Sequence, residues 1–332
     1  MKAWLLEKLG GLENLHLADA AEPVCGSRDV VLDVRYAALN PADRYLAEGQ
    51  YPARPALPHI LGRDAMGCIT QTGSGVTHWK PGDHALIIRG PVGVEQAGTF
   101  AQRVAVPADS LAALPDGWTP RQCAGASLVY LTAWQALTQW GDMPPGVVLV
   151  TGASGGVGVA SVQLACAMGH TVVAFSRSGE KRRRLSEIGA KITLDPADTQ
   201  WRRKLLKILG NKRVDLVVEN IGGAQFSQIL DVMAMWGKLS VVGRLAGPVP
   251  QFNTASLFFR RLRIGGVAAG SFTAQEAQTA WREVLKLLKV HDYHPLVDSV
   301  FEFDQLPQAF ERLAQGPMGK VLLNVAGWQV VS

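Results

Sequence analysis

Cysteine is scarce in this chain of 332 residues: Cys25, Cys68, Cys123 and Cys166 stand far apart, and no Cys-x-x-Cys pair occurs. That excludes a zinc knuckle and a dense disulfide framework, and it points to a reducing compartment such as the cytoplasm. Charged residues are few, at 18%, against 48% hydrophobic ones, a balance that excludes intrinsic disorder and supports sizeable cores. The net charge of +5 is only mildly basic. It suits an anionic ligand, but the basic runs lack the interleaved aromatics of a nucleic-acid surface. A leader is not read either, because Met1-Lys2-Ala3-Trp4-Leu5-Leu6-Glu7-Lys8 has no apolar h-region. The stretch from Met143 to Ser176 carries no Asp, Glu, Lys or Arg and is long enough to span a bilayer. It is broken by Pro144, Pro145, Gly146, Gly152, Gly155, Gly156, Gly158 and Gly169, so a buried strand–turn–helix is expected and no membrane association.

Residues 1 to about 120 alternate short apolar runs with turn signals. Val30–Tyr36, Gly67–Thr72 and His84–Ile88 read as strands, separated by turns such as Lys80-Pro81-Gly82-Asp83 and Leu114-Pro115-Asp116-Gly117. This predicts a β-barrel-like unit. The pattern changes near Thr119, where Leu128, Leu131, Trp134 and Leu137 recur at helical spacing. Strands at Val147–Val150, Thr171–Phe175, Val214–Val218 and Lys238–Val242 then alternate with helices, including Val157–Met168 and Glu180–Ile188. Such alternation predicts a doubly wound parallel sheet in an α/β domain. In the tail, Thr273-Ala274-Gln275-Glu276 reads as a capping box, Asp304 as the cap of a further helix, and Gly319–Val325 as a last strand.

The strongest chemical signal is Val148-Leu149-Val150-Thr151-Gly152-Ala153-Ser154-Gly155-Gly156-Val157-Gly158. Small residues at 153, 155 and 158 match the G-x-G-x-x-G spacing, with alanine in the first place. Gly155 allows backbone to approach a pyrophosphate, Gly158 allows helix and strand to pack closely, and the helix start offers free N–H groups to phosphate. Past the second strand the chain reads Phe175-Ser176-Arg177-Ser178-Gly179-Glu180-Lys181. An NAD site places an acid there for the ribose 2′-hydroxyl. A serine with Arg177 and Lys181 suits a 2′-phosphate instead, so NADPH is the expected cofactor.

Taken in order, Asn40-Pro41-Ala42-Asp43, Gly49-Gln50-Tyr51-Pro52, Leu61-Gly62-Arg63-Asp64-Ala65-Met66-Gly67, Pro81-Gly82-Asp83, Gly98-Thr99-Phe100-Ala101, Leu131-Thr132-Ala133-Trp134, the glycine turn and Gly319-Lys320-Val321 resemble the medium-chain dehydrogenase/reductase superfamily, in its zinc-free, quinone oxidoreductase-like branch. The resemblance covers nearly the whole chain. It implies a GroES-like β-barrel catalytic domain at 1–120, a Rossmann domain at 121–265, and a return to the catalytic domain at 266–332. Zinc-dependent members carry a cysteine near Asn40, a Gly-His-Glu where this chain has Gly62-Arg63-Asp64, and a second cysteine near Leu128; without that set, no metal is expected. His291 and His294 are spaced like half a metal site that nothing completes.

Without a Lewis acid, the acceptor itself must spread the charge that hydride brings. A quinone or an α,β-unsaturated carbonyl does so, leaving the protein to position it and to supply a hydrogen-bond donor and a proton. The resemblance implies that Asn40, Asp43, Tyr45 and Tyr51 line the nicotinamide cleft as catalytic candidates, with Tyr51 as possible proton donor. It implies cofactor contacts from Thr132, Ser154, Gly155, Gly156, Val157 and Gly158, and from Gly243 and Val267 after later strands, beside Ser176, Arg177 and Lys181; it also puts Asp195 where many members carry a tyrosine that helps to hold the adenosine phosphate, a place where an acid is expected to repel it. It also implies a homodimer, paired through an edge strand near Leu262–Val267. Two other readings are open: an enoyl-thioester reductase drawn to its substrate by the basic runs, and a non-catalytic NADPH-binding protein of the crystallin or RNA-binding kind.

Overall fold

The computed structural model describes residues 1–247 and 250–326. By internal packing the chain divides into two units. The first comprises Met1–Leu128, Gly270–Trp281 and the chain from His294 on; the second comprises Val129–Ala269 and Arg282–Tyr293. The change-over at 128/129 falls inside a helix and not at the turn near 120. The physical reason is that Ser127 and Leu128 are hydrogen-bonded to Asp64 of the first unit. Residues Arg282–Tyr293, expected with the tail, belong to the second unit, where Tyr293 closes over Gly189 and Cys166.

The first unit opens with β1 (Lys2–Leu6), β2 (Leu15–Asp19), β3 (Asp29–Ala38), α1 (Pro41–Ala47), β4 (His59–Ile60), β5 (Asp64–Thr72), β6 (His84–Ile87), β7 (Arg103–Pro107) and β8 (Leu111–Ala113). It then runs through α2 (Pro120–Ala124) into α3 (Ser127–Thr138). Helix α1 departs from the all-strand expectation. Its cause is local: Pro41 at the first helical position presets φ, and the Asp43 carboxylate accepts the Asn40 N–H at 2.8 Å. Strand β3 is the hub, paired antiparallel with β5 along its length and with β7 over its first half. Gly67 of β5 faces the β3 bulge, where a Cβ would lie 2.0 Å from the Asp33 carbonyl oxygen, so no other residue fits.

The second unit is built on β9 (Val147–Val150), β10 (Thr171–Phe175), β11 (Ile192–Leu194), β12 (Val214–Glu219), β13 (Met233–Val241) and β14 (Arg263–Gly266). All are parallel, in the order β11-β10-β9-β12-β13-β14. Helices α4 (Gly156–Ala167), α5 (Gly179–Glu187), α6 (Trp201–Leu209), α7 (Gln225–Val232) and α8 (Ala255–Arg260) connect them. The central strands read as continuous apolar runs because helices cover both faces; β9 is buried at every position. Phe175 and Trp201 meet edge to face at 4.8 Å in its core. The stretch Met143–Ser176 is thus β9, a turn, α4 and β10. No helix among the described residues is long and apolar enough to cross a membrane.

The tail supplies α9 (Ala274–Val290), β15 (Val297–Glu302), α10 (Leu306–Ala314) and β16 (Lys320–Asn324). Thr273 and Glu276 form the expected reciprocal cap of α9. Asp304 does not cap α10. A 3-10 turn at Phe303–Gln305 intervenes, and Gln305 reaches back to the Glu302 N–H at 3.0 Å. β16 adds antiparallel to β3 and parallel to β15, completing a seven-stranded sheet. The tail also completes the first core: the Trp4 indole donates to the Phe303 carbonyl at 2.8 Å, and Phe310 packs edge to face on Phe100. Phe310→Ala is therefore expected to cost about 3–5 kcal/mol in urea unfolding of the whole chain. A loss under about 1 kcal/mol would mean that the tail contributes little to this core.

Candidate active site

In the second unit the glycine turn joins the buried strand β9 to α4. Gly152 adopts φ +55°, the left-handed region that glycine enters freely. The Ala153 N–H donates to the Phe175 carbonyl at 3.1 Å, docking the turn onto β10, and its methyl is fully buried. Gly155 is the N-cap of α4; a Cβ there would meet only the Gly152 carbonyl oxygen, at 3.5 Å, leaving its outer face open to a ligand. At Gly158 a Cβ would fall 2.3 Å from the Gly152 oxygen. Only glycine lets α4 lie this close to the turn. The backbone N–H groups of Ser154–Gly158 thus stand at the amino end of a twelve-residue helix, a place that favours phosphate.

Several of the other expected cofactor residues follow the carboxyl ends of strands. Ser176 follows β10 and is buried; Arg177 is exposed. Gly243 and Val267 follow β13 and β14, where the Gly243 N–H donates to the Glu219 carbonyl and the Val267 N–H to the Val241 carbonyl. A Cβ at Gly243 would lie 2.5 Å from the Asn220 carbonyl oxygen. Thr132 lies within α3 and Lys181 within the first turn of α5, whose N-cap is Ser178. The switch point of the strand order, between β9 and β12, opens at this edge.

Two residues that the sequence reading passed over organise this edge. The Arg182 guanidinium donates to the carbonyls of Ser176 at 2.7 Å and Arg177 at 3.0 Å, and pairs with Asp195 at 3.4 Å. Asp195, expected to repel a phosphate, is therefore partnered. Glu219 ends β12 wholly buried, accepting from the Ile221 and Gly222 N–H groups at 2.7 Å and from the Thr151 hydroxyl at 3.0 Å. Burial pushes its carboxyl above the usual range, opposed by those hydrogen bonds. The signal was present, an acid closing an apolar strand, but nothing local shows that its partners come from another strand.

The first unit holds a buried polar cluster. The Lys320 ammonium, 4% exposed, donates to the Asn40 Oδ1 at 2.6 Å and to the Asp64 Oδ2 at 3.1 Å. The Asn40 Nδ2 donates to the same Asp64 oxygen at 2.9 Å. The Asp64 Oδ1 accepts from Ser127 and from the Leu128 N–H. Asn40's amide is thus committed on both sides, which makes it a positioning group. Gly319, at φ +91°, turns the chain so that Lys320 can point inward, and its stem lies against Gly125.

Asp43 is fully buried beside this group. Its Oδ1 stands 3.6 Å from the Arg63 Nε, an ion pair too long for a hydrogen bond. Burial raises the Asp43 carboxyl to about 6, and the neighbouring Arg63 charge opposes the rise. Arg63 Nη1 donates to the Tyr51 hydroxyl at 3.0 Å, and the guanidinium lies 4.4 Å over the Tyr51 ring. His59, also buried, is shifted toward the neutral ring by burial first, with the Arg63 charge adding to it. Tyr45 is partly buried, two positions past Asp43 in α1 and so on a different face. The cluster therefore joins Asn40, Asp43 and Tyr51 and adds Arg63, Asp64, Ser127 and Lys320.

Gly158→Val is expected to abolish binding of a nicotinamide dinucleotide, followed by fluorescence quenching, and to lower the unfolding midpoint. Retained binding would mean that the turn can open. Asp43 gives a second prediction. Its native carboxyl keeps a proton that the unfolded chain releases near 3.8, so its contribution to stability is lost as pH rises from about 4 to about 6. Asp43→Asn lacks this loss. In paired urea titrations the variant should gain on the parent by about 3 kcal/mol between pH 3.5 and pH 7. A pH-independent difference would show that folding leaves the Asp43 carboxyl unshifted, and a gain by the parent as pH rises would show that it is ionised in the native state.

Comparison with known proteins places this geometry. The family model for the alcohol dehydrogenase GroES-like domain matches residues 26–116, and that for a zinc-binding dehydrogenase matches residues 156–289. A quinone oxidoreductase of Sus scrofa is 28% identical over 327 residues, covering 97% of each chain. An NAD-dependent alcohol dehydrogenase superposes with a TM-score of 0.88 at 27% identity, covering 98% of this chain and all of that one. A mycobacterial protein in complex with NADPH superposes with a TM-score of 0.88 at 25% identity, with the same coverage. The zinc in one family name finds no fitting donor set. Among the described residues no three His, Cys, Asp or Glu side chains converge, and the Asp64 carboxylate is paired with an ammonium. With its GroES-like unit, its parallel sheet ordered as in a Rossmann fold, and its end-to-end likeness to quinone oxidoreductases, the chain belongs to the medium-chain dehydrogenase/reductase superfamily and is quinone oxidoreductase-like.

Proposed function

We propose that the chain is an NADPH-dependent reductase that passes hydride to a quinone or an α,β-unsaturated carbonyl without a metal. The observation that carries this reading is the buried set Asn40, Asp64 and Lys320 with the half-buried Arg63, which presents cations and hydrogen-bond donors where a zinc enzyme needs ligands. When bound, the nicotinamide supplies the hydride. The residues of this chain then have separable tasks. The turn Ser154–Gly158 holds the pyrophosphate, and Thr132, Gly243 and Val267 lie nearer the nicotinamide half.

Ser176, Arg177 and Lys181 take the adenosine 2′-phosphate, with Arg182 holding their loop and neutralising Asp195. Because relatives of this fold are described with either dinucleotide, the preference for NADPH rests on these side chains. Asn40 and Asp43 position the catalytic segment, and Tyr51 meets the acceptor, with Tyr45 a lesser candidate. A conjugated acceptor spreads the arriving charge over its own π system, so donors suffice. The four cysteines are unpaired, in keeping with a cytoplasmic protein. The open edge of β14, with Ile264, Phe258 and Phe259 exposed, is proposed to pair with a second copy.

Oxidation of NADPH and NADH is to be followed spectrally with a naphthoquinone, an enone, crotonyl-CoA and a plain aldehyde, with and without chelator. The expected result is turnover of NADPH in preference to NADH with a conjugated acceptor, undiminished by chelator. Turnover confined to the aldehyde, or loss on chelation, would overturn the reading.

A further inference from the structure

We infer that Arg63 and Tyr51 together form a two-donor oxyanion site that takes the acceptor's carbonyl oxygen; this deepens the function proposed above and rests on it for the identity of the acceptor. A guanidinium has donors only, so in the 3.0 Å contact between Arg63 Nη1 and the Tyr51 oxygen the phenol accepts. The Tyr51 O–H is thereby left to donate, and among the described residues no group accepts from it. Arg63 Nη2 is buried and has no hydrogen-bond partner among the described residues. Leaving such a group unpaired is costly unless a ligand or water completes it.

The surroundings favour an anion that forms during reaction over one that is always present. Asp43 and Asp64 balance Arg63 and Lys320, so the cluster is neutral when all four are ionised. A permanent anion would meet the Asp43 carboxylate. A carbonyl oxygen that gains charge as hydride arrives needs donors already aimed and already desolvated, which is where they stabilise most. Arg63 is only 12% exposed and is stacked on Tyr51, so its fork is fixed before a ligand arrives. Hydride bonds to the β-carbon, the C=C pair moves to place the negative charge on oxygen, and that oxygen is held by Nη2 and the Tyr51 O–H. The enolate then takes a proton from Tyr51 at its α-carbon, leaving a phenolate beside Arg63 Nη1 that water reprotonates. With a quinone, hydride leaves a hydroquinone anion, which takes the same proton on oxygen.

The test uses the full chain with NADP⁺ and 4-nitrophenol, whose ionisation is read from its visible band. Bound to the parent protein, the probe should be held as phenolate at a pH where it is mostly protonated in water. Arg63→Gln should weaken phenolate binding about 10²-fold while leaving nitrobenzene binding unchanged. Arg63→Lys keeps the charge beside Asp43 but loses the fork, and covers the case in which the glutamine variant does not fold. It and Tyr51→Phe should each lose most of the phenolate shift and, on an enone, lower kcat with little change in KM. Phenolate held equally by the parent, Arg63→Lys and Tyr51→Phe would overturn the inference, as would a parent that binds only the neutral phenol. A parent that holds phenolate yet reduces no conjugated acceptor would leave the oxyanion site standing and remove the proposed reaction.

Discussion

The ammonium of Lys320 is the constraint on which the first unit turns. It comes from the last strand and meets Asn40 and Asp64, 280 and 256 residues earlier in the chain. Burying a charge costs several kcal/mol, so the contact is not there for gross stability. It specifies an arrangement. Once Lys320 is inside, Asn40 can orient its amide in only one way, the Asp64 carboxylate pairs with the ammonium, and α3 must start where Ser127 and Leu128 can reach the second Asp64 oxygen. The Gly319 turn and the gap at Gly125 exist to admit this one side chain.

The second unit obeys a different constraint, the close approach of backbone to backbone at one edge of a parallel sheet. Gly158 and Gly243 each sit where a Cβ would strike a main-chain oxygen or carbon. Thr151, Glu219 and Asn220 tie the ends of β9 and β12 together across the switch point. The result is a row of N–H groups and small residues held open, with a buried carboxylate as its internal anchor.

These two devices suit chemistry in which the acceptor carries much of its own developing charge. A zinc ion concentrates positive charge at one point and needs anionic or neutral lone-pair ligands around it. Here Asp64 is paired with Lys320, Asp43 lies beside Arg63, and the donors left without an acceptor among the described residues are the N–H groups of Arg63 and the O–H of Tyr51. Electrostatic support of this kind is weaker than a metal for a simple ketone and adequate for a delocalised anion.

Much of this was legible in the amino-acid sequence. The apolar runs of β9, β10 and β12, the glycine turn and the capping box at Thr273 are local patterns, and local patterns report the period and chemistry of a single element. The order of motifs carried the family. Helix α1 was missed although Asn40-Pro41-Ala42-Asp43 contains its cap, because the strand-rich context on either side outweighed four residues. Asp304 looked like a cap because its type fits, yet it lies inside an intervening 3-10 turn that Glu302 and Gln305 cap, and α10 itself starts without a side-chain cap. Lys320 read as one letter of a strand, and Arg63 as the loss of a ligand. The sequence by itself determined the dinucleotide turn and the two kinds of unit, since both follow from spacing along the chain. Only the tertiary structure decided that Lys320 faces Asp64, that Arg182 neutralises Asp195, and that Arg63 stacks on Tyr51. Each of these is a contact that a cationic side chain makes with a group far along the chain or in a different element, and no periodicity encodes it.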